Sequence, residues 1–232
     1  MNDINLSKFN QFKRYKNQNK SIALIIPGKK ILSKNFGSKI NEYDVSIRLN
    51  TGPTDGFEKN VGNKTSLRIL NYPCFMRINN FKVRRQNFEL DEFFKFNRDK
   101  NNAVFLDKYV EKKKELIQSC MRKDANYQFL FVNHLIKIFD FCLLTNFLPK
   151  FLYLFLVDYI LLKRKFSLGF LVINLLIKEN LNFTVFGLDL EEDMHNRTHY
   201  YKNHKPSNDH NLSLERKVLK KLYNKKKFKI YS

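Results

Sequence analysis

The chain has no tryptophan and only three cysteines in 232 residues. Cys74, Cys120 and Cys142 are scattered, odd in number, and form neither a C-x-x-C pair nor a metal-ligand spacing. That argues against a disulfide framework and fits a reducing compartment. The N-terminal segment lacks an apolar run, so no signal peptide or N-terminal anchor is expected. The expected location is cytoplasmic, peripheral at the inner membrane face if the surface binds lipid. No internal repeat is visible. Acidic residues are scarce, 22 Asp and Glu against 43 Lys and Arg, for a formal net charge of +21.

A field of that sign favours nucleic acid, an acidic membrane surface or a nucleotide-charged substrate. Lysine accompanied by much Asn, Ile and Phe is also what an AT-rich genome imposes. The cations concentrate at the ends: Lys8, Lys13, Arg14, Lys16 and Lys20 against Asp3, and eight basic residues with no acid after Glu215. These stretches read either as solvated faces and tails or as contacts for anionic lipid or glycan. The length fits one large domain with a sizeable core. Residues 1–20 read as a basic N-terminal segment and 21–232 as the main domain.

Residues 21–26 form a short apolar run ended by Pro27 and Gly28, a buried strand entering a loop. A helix is expected over 31–40. Val45, Ile47 and Leu49 alternate with Ser46, Arg48 and Asn50, a half-buried strand pattern. Residues 51–63 read as a loop from Gly52, Pro53, Gly56 and Gly62. Further strands are expected at 67–70, 103–106, 129–132, 183–186 and 228–231. Helices are expected at 108–123, 168–180 and 213–224. Alternation of this kind predicts a mostly parallel α/β sheet with ligands beyond the strand carboxyl ends. Residues 77–165 are poorly assigned. Within them, 139–162 is apolar but broken by Pro149, Lys150 and Asp158, which suits a buried hairpin or a surface dipping into a bilayer better than a span.

Four segments in one order carry the chemistry. The first holds Asp44, Arg48 and Asn50, then Pro53, Thr54, Gly56, Phe57 and Glu58, then Val61, Gly62, Lys64 and Thr65. The second holds Phe166, Ser167, Leu168 and Gly169, an apolar helix, and the strand ending at Gly187. The third is His199, Tyr200 and Tyr201, and the fourth is His210 with Glu215 five residues on. Together they resemble the large, small, third and very small sialylmotifs of the animal-type sialyltransferase family, over about half the chain (21–70 and 166–220).

That resemblance implies a modified Rossmann-like, GT-A-like variant fold in a single domain. It also implies an inverting transferase that moves a 2-keto acid sugar from a CMP-activated donor, CMP-sialic acid or CMP-Kdo, to a glycan or glycolipid hydroxyl. His210 falls at the family's general base, and imidazole titrates near neutrality. His199 matches the histidine that stabilises the departing phosphate. Asn50, Ser167 and Gly169 fall at donor contacts, and Gly28, Lys29, Gly187, Tyr200 and Glu215 are placed with them. The family's Gly-Asn turn is replaced here by Pro27, Gly28 and Lys29, where Lys29 supplies charge. The family's cysteine pair is missing at both positions, Ser21 standing at one of them.

A CMP leaving group carries a single phosphate, so neither metal nor cofactor is expected. Residues 188–193, with Asp189 and Glu191, read as a solvated loop rather than a Mg²⁺ site. Two other classes remain in view. A nucleic-acid-binding protein would cluster its cations with exposed aromatic platforms, whereas most of the 23 Phe lie in apolar runs; no nucleic-acid partner is expected. A non-catalytic membrane-surface protein would have no need of His199, Tyr200, His210 and Glu215.

Overall fold

The computed structural model describes residues 10–50, 52–70, 103–107, 127–131, 166–190, 199–200 and 210–231. The expected helix at 108–123 and the apolar stretch 139–162 lie outside the described residues. Among those described, no helix is long and apolar enough to cross a membrane.

Seven parallel strands form one sheet. They are β1 (Ile22–Ile25), β2 (Val45–Leu49), β3 (Leu67–Leu70), β4 (Ala103–Asp107), β5 (Tyr127–Phe131), β6 (Phe183–Phe186) and β7 (Lys229–Tyr231). Their order is β5-β4-β3-β2-β1-β6-β7. The chain winds outward from β1 to β5, then returns to place β6 on the other side of β1. Ile22 pairs in register with Val45 on β2 and Phe183 on β6, so the three strands end level. The sheet is doubly wound, and its topological switch point lies between β1 and β6.

Among the described residues five α-helices accompany it: α1 (Asn10–Asn17), α2 (Gly37–Asn41), α3 (Glu58–Val61), α4 (Leu168–Lys178) and α5 (Leu212–Asn224). Period-2 alternation sends Ile22, Leu24, Ile47, Ile69 and Val185 to one face, where they pack with α4, α5 and Phe12 of α1. Ala23, Ile25 and Phe186 point to the other face and pack with Ile31, Ile40, Val61 and Tyr200. Helices on opposite faces for the two winding directions are what right-handed crossovers require.

α4 is almost wholly apolar because it lies on the sheet; its one interior amide, Asn174, turns back to donate to Phe170 O at 2.7 Å. α5 is amphipathic, burying Leu214, Val218, Leu219 and Leu222 and exposing lysines. α1, α4 and α5 all stop on a residue in the left-handed region, Asn19, Asn180 and Lys226. Paired backbone bonds such as Leu181 N to Leu176 O (3.1 Å) and Asn180 N to Ile177 O (2.9 Å) close each of these Schellman ends.

Two expectations need correcting. β2 is buried at all five positions, not on alternate ones, because the second face is covered too. The single helix expected over 31–40 is a 3-10 turn, Lys29–Ser33, followed by α2. Lys34 is extended between them, at φ −141°. Gly37, which weakens a helix by propensity, instead begins α2 where a Cβ would fall 1.9 Å from Glu58 O of α3. The loop expected over 51–63 also contains α3.

Candidate functional site

The switch point is built from the carboxyl ends of β1 and β6. Ile26 N donates to Phe186 O at 3.0 Å, carrying the pairing one residue beyond the strands. The chain then turns at Gly28 and Gly187, where the two backbones nearly touch. A Cβ on Gly28 would lie 2.5 Å from Gly187 O, and one on Gly187, at φ +75°, would lie 2.4 Å from Ile26 O. Neither position admits a side chain. Lys29 is exposed just beyond this contact. Lys30 pairs with Asp189 at 3.0 Å, joining the two strand-end loops by charge.

A returning segment crosses the same point. His199 bridges antiparallel to Gly28, and Tyr200 N donates to Pro27 O at 3.2 Å. His199 Nδ1 also lies 3.2 Å from Pro27 O. A carbonyl only accepts, so Nδ1 carries the hydrogen, and the neutral ring has its lone pair at Nε2. The Tyr200 hydroxyl donates to Pro53 O, and its ring packs edge-on against Phe57 at 4.9 Å. Buried in this way, Tyr200 ties the β1 end to the loop after β2.

That loop begins with Asn50 in the left-handed region, φ +50°. It is the one non-glycine residue of this kind among the described residues that does not end a helix. Asn tolerates the conformation, and two buried arginines hold the surroundings in place. Arg68 on β3 donates through Nη1 to Asn50 O at 2.7 Å and Gly52 O at 3.2 Å. Arg48 on β2 donates through Nη2 to the carbonyls of Val61, Gly62 and Lys64 at 2.8–3.0 Å, and through Nε to Thr65 Oγ1 at 2.9 Å. Arg48 and Arg68 are register partners and share one face of the sheet.

The third wall comes from α4 and α5. Ser167 caps α4, accepting from Phe170 N at 3.3 Å. Its backbone N–H donates to Glu215 Oε1 at 2.7 Å and its hydroxyl to Glu215 Oε2 at 2.5 Å. Glu215 is only 4% exposed, so these bonds compensate a buried carboxylate. At the second position of α4, Gly169 faces Ile26 and Leu49, with a Cβ position 3.4 Å from Ile26 Cδ1. His210, half-buried, directly precedes Asn211, which caps α5 by accepting from Leu214 N at 3.1 Å.

The residues singled out in the sequence therefore gather in two groups: Gly28, Gly187, His199, Tyr200 and the loop after Asn50 around β1, and Ser167, Gly169 and Glu215 between α4 and α5. Gly169 reaches over Ile26 and Leu49 to join them. Arg68 was missed as part of the site, and Arg48 stood in the first motif without a role. The only signal at Arg68 was a charge within an apolar strand.

The sequence profile of glycosyltransferase family 29 (sialyltransferase) matches residues 5–227, nearly the whole chain. The chain belongs to that family. A rat CMP-N-acetylneuraminate-beta-1,4-galactoside alpha-2,3-sialyltransferase is 56% identical over 43 residues, 18% of this chain and 11% of the rat protein. Human beta-galactoside alpha-2,6-sialyltransferase 2 is 42% identical over 52 residues, 22% of this chain and 10% of the human one. The matched segment thus spans about a tenth of these relatives' length. The crystal structure of a mammalian sialyltransferase superposes with a TM-score of 0.56 at 15% identity, covering 97% of this chain and 79% of that one. The same fold is matched in a complex with Gal-beta-1-3GalNAc-ortho-nitrophenol, with a TM-score of 0.55, 15% identity and the same coverage.

Within this family 29 chain, Ser21 has a partner of its own. Its backbone N–H and hydroxyl lie 2.8 and 2.7 Å from Asp44 Oδ2, with Lys20 Nζ 3.5 Å from Oδ1. The serine hydroxyl and amide, foremost, hold the Asp44 carboxyl below its ordinary value of 3.8.

Proposed function

We propose that this chain transfers sialic acid from CMP-sialic acid to a glycan hydroxyl with inversion, without a metal. The observation that carries the reading is the convergence of Asn50, His199, Gly28 and Gly187 on the switch point of a doubly wound sheet. Such crevices are where nucleotides bind in this architecture. The activities of the rat and human relatives favour sialic acid over Kdo, and favour a galactoside acceptor.

In this reading His210 takes the proton of the acceptor hydroxyl as its oxygen attacks the anomeric carbon. The bond from that carbon to the phosphate oxygen breaks, and CMP leaves with the electron pair. With Nδ1–H given to Pro27, His199 offers a donor at Nε2 only as the imidazolium, which is the form that neutralises a departing phosphate. Glu215 positions Ser167, and the Gly28–Gly187 contact lets backbone approach the donor. The Lys30–Asp189 pair supports a metal-free site, because the Asp189 carboxylate is already paired with an ammonium group. The protein acts in the cytoplasm, peripheral to the inner membrane face, and a glycolipid is a suitable acceptor.

The test is CMP release from CMP-Neu5Ac and CMP-Kdo, with and without galactosides, in EDTA. Turnover with CMP-Neu5Ac that persists under chelation is expected; turnover with CMP-Kdo alone replaces the donor, and turnover restored only by Mg²⁺ overturns the metal-free step. His210→Ala should lower kcat by about 10²–10⁴-fold with CMP affinity near wild type. His199→Ala should lower it by about 10²–10³-fold and weaken CMP binding as well. Full activity in His210→Ala sinks the assignment of the base.

A further inference from the structure

The outer side of α5 and the segment after it form a cationic strip that the transfer chemistry does not use. Lys217, Lys220 and Lys221 are exposed along the helix, at the spacing of one face. Lys225, Lys226, Lys227 and Lys229 are exposed beyond it, and no acid occurs after Glu215. A helix macrodipole favours cations in its last turn, and its influence falls off there. It accounts for Lys221 and Lys225 but not for Lys217 or for Lys226 to Lys229.

The second observation is where apolar surface is left uncovered. Among the described residues the exposed large hydrophobic side chains are Tyr223 and Tyr231, at 42% and 41%. Tyr223 sits in this strip, whereas Tyr231 stands on the other face of the sheet, in register with Phe186. Their rings are engaged from within: Tyr231 stacks on Phe186 at 5.2 Å and 26° and meets Phe36 edge-on at 5.6 Å, and Tyr223 tilts against Phe228 at 6.0 Å.

We infer that the α5–β7 strip is a docking surface for an anionic lipid bilayer. Lysines around a half-exposed tyrosine, Tyr223, are the composition of a bilayer interface, where the ammonium groups meet lipid phosphate and the phenol sits at headgroup level. A single-stranded nucleic acid needs a row of ring faces on which successive bases stack, and Tyr223 is the one exposed ring of the strip among the described residues. The proposal is independent of the transfer reaction, because lipid binding is measured on the intact chain whether or not it turns over.

The experiment is flotation of the full chain with vesicles of phosphatidylcholine alone or with 30% phosphatidylglycerol. Binding to the anionic vesicles alone, weakened by raised salt, is expected. The triple variant Lys226→Gln, Lys227→Gln, Lys229→Gln should bind them about 10²-fold more weakly, from roughly fivefold per lysine near an anionic surface. An unchanged melting temperature in this variant shows that the loss is not unfolding. Tyr223→Ser should reduce binding further without changing its salt dependence. Equal binding to neutral vesicles, or anionic binding untouched by the triple variant, overturns the proposal. Preference for a single-stranded oligonucleotide over the anionic vesicles overturns it in favour of a nucleic-acid surface.

Discussion

One face of the sheet sets Ile22, Leu24, Ile47 and Val185 against α4 and α5. The other carries Ser46, Arg48, Arg68 and Thr184 among its apolar residues, under short elements of four or five residues. The first face is held by burial, at about 1.5–3 kcal/mol for each large side chain, and tolerates any packing of similar volume. The second is held by buried guanidinium groups that clasp backbone carbonyls, which fixes loop geometry as well as stability. The loops of the candidate site leave from the second face, so there stability and site geometry depend on the same bonds.

Mutations can break this contrast. Ile47→Ala, at a fully buried position, should cost about 2–5 kcal/mol of unfolding free energy. CMP affinity of the folded fraction, read by calorimetry, should stay near wild type. Arg68→Met should cost less stability, about 2–3 kcal/mol for two carbonyls left unbonded. It should nevertheless weaken CMP binding about tenfold, because Asn50 loses its restraint. Equal effects of the two changes on CMP affinity would erase the distinction between the faces.

Glu215→Gln sharpens the contrast, since Glu215 is a polar clasp on the otherwise apolar side. An amide replaces the carboxylate that accepts from Ser167, so a loss of about 1–2 kcal/mol is expected by denaturant unfolding, with a fall in kcat larger than any change in KM. The smallest effect lies at Asp44, which is exposed. Its folded pKa is lowered, so its contribution is present at neutral pH and lost as pH falls through that lowered value. Asp44→Asn should melt slightly below wild type at pH 7, and the two melting temperatures should converge below pH 3.8. A gap that widens on acidification would contradict the sign.

The strands were legible because apolar runs and alternation mark them: 45–49 and 183–186 coincide with β2 and β6. The candidate site was legible as motifs, whose residues Gly28, Gly187 and Ser167 fall where strands end and a helix begins. The face of Arg48 and Arg68 was not. A charge alternating with apolar residues has the pattern of a solvent-facing position, and only the tertiary fold supplies carbonyls to bury it against. The splitting of 31–40 was hidden similarly, since the contact of Gly37 with Glu58 O spans a separation no local pattern reports.

The touching backbones at Gly28 and Gly187 also constrain how this chain can vary. Each glycine is excluded from substitution by the main chain beside the other, and main chain cannot be trimmed by a second mutation as a side chain can. The two positions therefore have no compensating partner anywhere in the sequence. In a saturation library selected for folding, both should return glycine alone, and no pair of changes should rescue either. Gly56 differs: at φ +80° with nothing within 4 Å of its Cβ position, it should still admit asparagine or aspartate. The crossing point of the fold is thus a fixed coordinate about which the rest of the sequence is at liberty to drift.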